Sequence, residues 1–219
     1  MFIGHFGTGF AGKAVDKKPS LAALFFAAQF IDLLWPFLLL AGIEKVEISP
    51  GKTAVNPLDF TYYPFSHSLA GVVFWGLLIG AGYYFLTKNR RGSLLMGGLV
   101  VSHWFLDLLV HIPDLPLAPG LELRLGFGLW NSALLTVITE GVIFTGGLWL
   151  YLRSTKSENY KGHLSLWSLV VFLISIYVMN FFSPPPPDAR AIGYVGLSQW
   201  LIVAWGYWIE KTRSTEQGN

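Results

Sequence analysis

Charge is scarce in this chain and cysteine is absent. Of its 219 residues only 13% are Asp, Glu, Lys or Arg, against ~25% in a soluble domain. Such a composition cannot cover a water-facing surface. Without cysteine, disulfides, thiolate metal sites and Cys nucleophiles are excluded. A net charge of +2 is too small to point to nucleic acid as a partner. No loop is long enough to bury a core, so no separate soluble domain is expected. The basic cluster Lys13, Lys17 and Lys18 follows the first apolar stretch instead of preceding it, so a cleavable signal peptide is not expected either. No internal repeat is evident.

What the chain has is hydrophobic residues, 53% of the total, with 16% aromatic. They fall in blocks at about 20–43, 65–86, 93–112, 130–152, 164–182 and 191–209. Each is near the ~20 residues that cross a bilayer as a helix, the open-ended structure that satisfies its own backbone in lipid. The expected fold is all-α: a polytopic membrane helix bundle of six transmembrane spans, one integral membrane domain over 1–219.

Basic residues set the orientation. With the N-terminus inside, Lys13, Lys17, Lys18, Lys88, Arg90, Arg91, Arg153, Lys156, Lys161, Lys211 and Arg213 lie on the inner side; Lys45, Lys52, Arg124 and Arg190 lie outside. This 11-to-4 split predicts both termini in the cytoplasm. The outer loops, 44–64, 113–129 and 183–190, are the longer ones, and Pro184 to Pro187 read as a stiff spacer.

Residues 2–15 are too short to span. They read either as an N-terminal half-helix descending to the cytoplasmic face or as a helix lying flat on the membrane. Gly7-Thr8-Gly9-Phe10-Ala11-Gly12 matches a dinucleotide fingerprint, with Asp32 suitably placed downstream. No strand precedes it, and Asp32 falls inside a span. Close helix packing is the better use of these glycines.

Ionisable groups at membrane depth are costly and therefore functional candidates. They are His5, Asp32, His103, Asp107 and Glu140, with His67 and His111 near span ends. Counted along a helix from the basic anchors, His5, Asp32 and His103 lie at about 18 Å and Glu140 at about 20 Å from the inner face. The same count puts His67 near the outer surface, at about 31 Å. His103, Asp107 and His111 are spaced i, i+4, i+8 on one helix face, and Asp114 continues the stripe. An imidazole and a carboxylate one turn apart can share an ion, or the carboxylate can orient the imidazole. With His5, Asp32 and His67 they supply enough nitrogen and oxygen ligands for a divalent metal such as zinc. His163, in an inner loop, reads as merely solvated.

These residues carry a resemblance. An N-terminal His before a small-residue helix (His5), an acid late in the first span (Asp32), Phe65-Ser66-His67-Ser68 opening the next span, and Ser102-His103 followed by Asp107 resemble the bacterial inner-membrane proteins described as membrane-bound, metal-dependent hydrolases. The resemblance covers roughly residues 1–115. It departs at Leu33 to Pro36, where the family has a second Asp and a His, and at Tyr62 to Pro64, where it has a basic residue. It has no counterpart for 130–219.

The resemblance implies a hydrolase of the cytoplasmic membrane. Read from the residues themselves, the metal would be held by His5, Asp32, His67, His103, Asp107 and His111, with Asp32 or Glu140 as general base. The site opens outward from the midplane, so a lipid or lipid-linked ester or phosphoester fits as substrate. The lipid bilayer is the other partner. Two alternatives use the same residues: a transporter in which they relay ions or protons, and a scaffold in which they fix helix packing. A serine hydrolase is disfavoured. Ser66, Ser68 and Ser102 each adjoin a His in sequence, but neighbours on a helix do not face each other, and no G-x-S-x-G elbow is present.

Overall fold

A computed structural model describes residues 1–215. Its first helix, α1 (Ile3–Val15), is buried among the others, with Phe6 and Phe10 fully enclosed. It packs inside the bundle, not against its outside. The chain turns at Pro19 into α2 (Leu21–Leu40), where Ser20 caps the start by accepting from Ala23 N–H at 3.1 Å. Pro36 sits within α2. It has no N–H to give the carbonyl one turn back, that of Asp32.

The loop that follows holds a hairpin, β1 (Lys45–Ile48) and β2 (Leu58–Tyr62), antiparallel with a register shift between Lys45 and Glu47. A one-turn helix, α3 (Pro64–His67), leads through extended Ser68 into α4 (Leu69–Thr87). Then come α5 (Arg90–Val110), a short antiparallel pair β3 (Leu115–Pro116) and β4 (Arg124–Leu125), and α6 (Ala133–Ser154). At the opposite end of the bundle β5 (Thr155–Ser157) pairs with β6 (Arg213–Thr215), the last strand among the described residues. Between them lie α7 (Tyr160–Asn180), α8 (Ala189–Leu197) and α9 (Gln199–Glu210). The three short strand pairs have no counterpart in the sequence reading.

Among the described residues five helices, α2, α4, α5, α6 and α7, are long and apolar enough to cross a membrane. The sixth block differs from the expectation: it is two helices of 9 and 12 residues, α8 and α9, meeting at Ser198. Both pack along α2. Gly193 meets Leu40, Gly196 meets the ring of Pro36, and Gly206 meets Ala22. The bundle carries apolar side chains on its outside, as Leu77, Leu86, Leu94 and Leu201 show, while its buried residues include His5, His67, His103 and Asp107. That inverts the soluble pattern and suits lipid.

Glycines set the closest helix approaches. A Cβ on Gly147 of α6 would lie 1.9 Å from the Gly7 carbonyl oxygen of α1. A Cβ on Gly97 of α5 would lie 2.8 Å from that of Gly76 in α4. The glycine-rich stretch of α1 is thus a helix-packing surface, as its position in the sequence implies. Lys13 anchors its C-terminal end by donating to Glu210 at 2.7 Å and to the Pro19 carbonyl at 2.8 Å.

Candidate metal centre

Four elements bring His5, Asp32, His67, His103 and Asp107 together. On α5, one turn places His103 Nε2 3.3 Å from Asp107 Oδ2. α1 lays the His5 ring flat on the His103 ring, centroids 3.6 Å apart and planes within 5°. His5 Nε2 then lies 3.1 Å from Asp107 Oδ1. The amino group of Met1 is 2.6 Å from the same oxygen. From α2, Asp32 Oδ1 lies 3.5 Å from His103 Nε2 and 3.4 Å from His67 Nε2. His67 Nε2 is also 4.0 Å from Asp107 Oδ2.

The ligand atoms form two triplets that share His103: His5, His103 and Asp107, and Asp32, His67 and His103, each within 4.8 Å. These buried groups can hold a metal ion. His5 and Asp32 fall in different triplets, so the three groups that the depth count puts on one level, His5, Asp32 and His103, are divided between two adjacent positions. Asp32 is the exposed member, its side chain 22% accessible against 0–2% for His5, His103 and Asp107.

The donor set fits a cation for a chemical reason. His103 Nδ1 lies 3.0 Å from the Ala28 carbonyl, which can only accept. A proton therefore sits on Nδ1, and in the neutral ring Nε2 carries the lone pair. The Ser66 hydroxyl donates to Glu44 Oε2 at 2.5 Å. It must then accept from His67 Nδ1, 2.7 Å away, which leaves the His67 Nε2 lone pair facing the site. Glu44 is held in turn by the backbone N–H groups of Phe65 and Ser66, at 2.8 and 2.9 Å. His103 Nε2 is buried without a hydrogen-bond partner, among carboxylate oxygens that are also acceptors. Such a group of acceptors, beside the Met1 ammonium, suits a bound cation, and the outer contacts are those that orient ligating imidazoles.

Several sequence expectations change here. His67 is not near the outer surface. The depth count treated 65–88 as one helix, but the chain breaks at extended Ser68, and α3 turns His67 inward to 4% exposure. Ser66 and His67 do touch despite being adjacent, because α3 is a single turn to which the regular-helix rule does not apply. Ser66 is spent on Glu44 and is no free nucleophile. Glu44 was missed. An acid just past a span is ordinary in sequence, and only the folded chain returns Phe65 and Ser66 to it.

His111 stands outside both triplets. Its Nδ1 pairs with Asp114 Oδ1 at 2.8 Å, and the Tyr63 hydroxyl donates to the same oxygen at 3.1 Å. Trp130 lies against the ring, centroids 4.1 Å apart. This trio pins the outer loops to the end of α5. Glu140 Oε2 accepts from Phe2 and Gly4 N–H, at 2.8 and 3.2 Å. From α6 it caps the start of α1 and so positions His5.

Asp32, His67, Asp107, His111 and Glu140 all line a cavity of about 770 Å³ between α2, α7, α8, α9 and the outer loops. Inward of His103 the bundle is filled by Phe10, Leu24, Phe25, Met96 and Leu99, each at most 6% exposed. Comparison with protein-family models, with curated proteins and with solved structures gives no match for this chain.

Proposed function

We propose that this chain is a membrane-embedded, metal-dependent hydrolase of the bacterial cytoplasmic membrane, similar in its N-terminal half to the membrane-bound metal-dependent hydrolases. In this reading α8 and α9 together make a sixth crossing, bent at Ser198, both termini are cytoplasmic, and the site faces outward. One observation carries it: two buried imidazoles, His67 and His103, are held through Nδ1 with their Nε2 lone pairs turned toward carboxylates.

His5, His67, His103 and Asp107 are the proposed ligands, for zinc or another divalent ion. Bound there, the ion would lower the pKa of a water and polarise an ester. Asp32, open to the cavity, is placed to take the proton from that water. Glu140 has its oxygen engaged by two backbone donors, which favours a positioning role over that of base. The packed residues inward of His103 favour a closed site over an ion path across the bundle.

Metal analysis of the purified protein tests this. His103→Ala and Asp107→Ala should each lower metal affinity by about 10-fold or more. Ser66→Ala, which unseats His67, should lower it in the same direction. His163→Ala should leave it unchanged. Stoichiometric metal in the His103→Ala/Asp107→Ala double variant would show the assignment to be wrong.

A further inference from the structure

Three residues that line the cavity beside the site each carry a polar atom that nothing among the described residues uses. Trp35 Nε1 on α2, Tyr177 Oη on α7 and Gln199 Oε1 on α9 are each buried without a hydrogen-bond partner, and all three residues line the cavity. Trp35 and Tyr177 are 8% and 7% exposed. An orphaned buried polar atom costs roughly 1–3 kcal/mol, so three around one apolar chamber point to a ligand that pairs with them. At about 770 Å³ the chamber is in the ~300–1,000 Å³ range of small-molecule sites.

Its shape points to entry from the bilayer. α7 and α9 are tied together at their inner ends, where Trp205 Nε1 donates to the Ser165 carbonyl at 3.0 Å and Ser165 meets Thr212 at 2.8 Å. Toward the outer side Tyr177 and Phe181 line one side of the chamber and Val195 and Gln199 the other. Pro184, Pro186 and Pro187, in the connection between α7 and α8, also line it, so the stiff spacer acts as a strut. Val195 and Leu201 line the cavity while 70% and 71% exposed, so the chamber wall runs into the lipid-facing surface.

The charge balance selects the polar end of the ligand. Asp32, Asp107 and Glu140 line the chamber, and among the described residues no Lys or Arg does. Until a metal binds, a phosphate would enter against these three carboxylates, and the cation fixed beside them, the Met1 ammonium, is already held by Asp107 at 2.6 Å. A neutral carboxylic ester carries no such penalty, and its oxygens accept from the Trp35 N–H and the Tyr177 hydroxyl.

We propose that the chamber takes an uncharged acyl ester from the bilayer, between α7 and α8–α9, its hydrocarbon chain against Phe172, Ile176 and Ile202 and its ester oxygens bound by Trp35 and Tyr177. Gln199 receives a hydroxyl of the same molecule. The cleavage step, but not the binding, rests on the hydrolase reading. Water oxygen bonds to the carbonyl carbon, the acyl C–O bond breaks, and the alcohol leaves with the proton that Asp32 took from the water.

The test is photolabelling of the full-length protein in phosphatidylcholine nanodiscs. The probes are a diacylglycerol with a diazirine in one acyl chain and a phosphatidic acid with the same chain. Diacylglycerol should label the chamber faces of 172–181 and 195–205, and phosphatidic acid should label them at least several-fold less. Ile202→Trp should abolish that label by filling the chamber. Trp35→Phe and Tyr177→Phe, which keep the ring, should each weaken it by about three- to tenfold. Label spread evenly over the outer faces of α4, α6 and α7, or insensitive to all three substitutions, would overturn the chamber. Equal capture of phosphatidic acid would overturn its preference for an uncharged ligand. In His103→Ala the label should persist. Its persistence when metal binding fails supports the chamber independently of the hydrolase, and its loss in that variant alone would overturn that independence.

Discussion

Adjacent glycines on α6 offer a controlled test of whether α1 is part of the metal centre. Gly147 touches the α1 backbone: an added Cβ would lie 1.9 Å from Gly7 O and 2.5 Å from Gly7 C. Gly146, one residue earlier, has nothing within 4 Å of the same atom. Gly146→Ala is therefore expected to be neutral or stabilising by up to about 1 kcal/mol, the usual helix-interior difference. Gly147→Ala must push α1 away by about 1.5 Å to restore the 3.4 Å at which ordinary contact begins. The obstacle is backbone and cannot rotate aside. Overpacking of this kind costs about 1–3 kcal/mol, several degrees in melting temperature for a chain of this size.

The functional consequence is sharper than the stability one. His5 rides on α1, its Nε2 3.1 Å from Asp107 Oδ1. A shift of about 1.5 Å takes that contact beyond hydrogen-bond reach, and a 1 Å misplacement costs on the order of 100-fold in a positioned site. Thermal melts in detergent with metal titration of both variants check this. Gly147→Ala should lose metal affinity by about 10-fold or more, and Gly146→Ala should not. Wild-type melting and affinity in Gly147→Ala would refute the packing argument and remove His5 from the ligand set.

Two further outcomes are expected. The chain has no cysteine, so single cysteines report topology without background: an impermeant thiol reagent should label loop 44–64 from outside and loop 87–92 only after permeabilisation, and the reverse would overturn the orientation. Tyr63 concerns alkaline pH. Burial, and then Asp114 beside it, hold its phenol well above the ordinary value of 10.0. A group whose folded value is raised contributes in full below its unfolded value, so its contribution should hold below about pH 10 and decline above. Melts from pH 8 to 11 should show that decline in the wild type and a shallower one in Tyr63→Phe, whereas an unchanged slope would count against the Tyr63–Asp114 bond.

What the sequence made legible, and what it hid, divides along a physical line. The five long helices follow from apolar blocks of bilayer length, and the His103–Asp107 pair from a one-turn spacing, both local properties of the chain. The cost of exposing charge to lipid also said correctly that His5, His103 and Asp107 face inward, since each is at most 1% exposed. It could not say what they face. His67 reaches Asp32 because Ser68 adopts an extended backbone, and Glu44 reaches Ser66 across 22 residues, neither of which leaves a periodic trace. The chamber is harder still to read, because it forms where helices part. Its signals were present but scattered: four prolines between two apolar blocks, a Pro36 inside a span, and Tyr177 and Gln199 among hydrophobic neighbours. Each is ordinary alone. They gain meaning once α7, α8 and α9 are seen to line one cavity with Asp32, where Trp35, Tyr177 and Gln199 border the same space as the candidate metal ligands Asp32 and Asp107. That shared boundary is why the lipid-binding and metal-binding readings are best tested on one protein preparation, with each able to fail without the other.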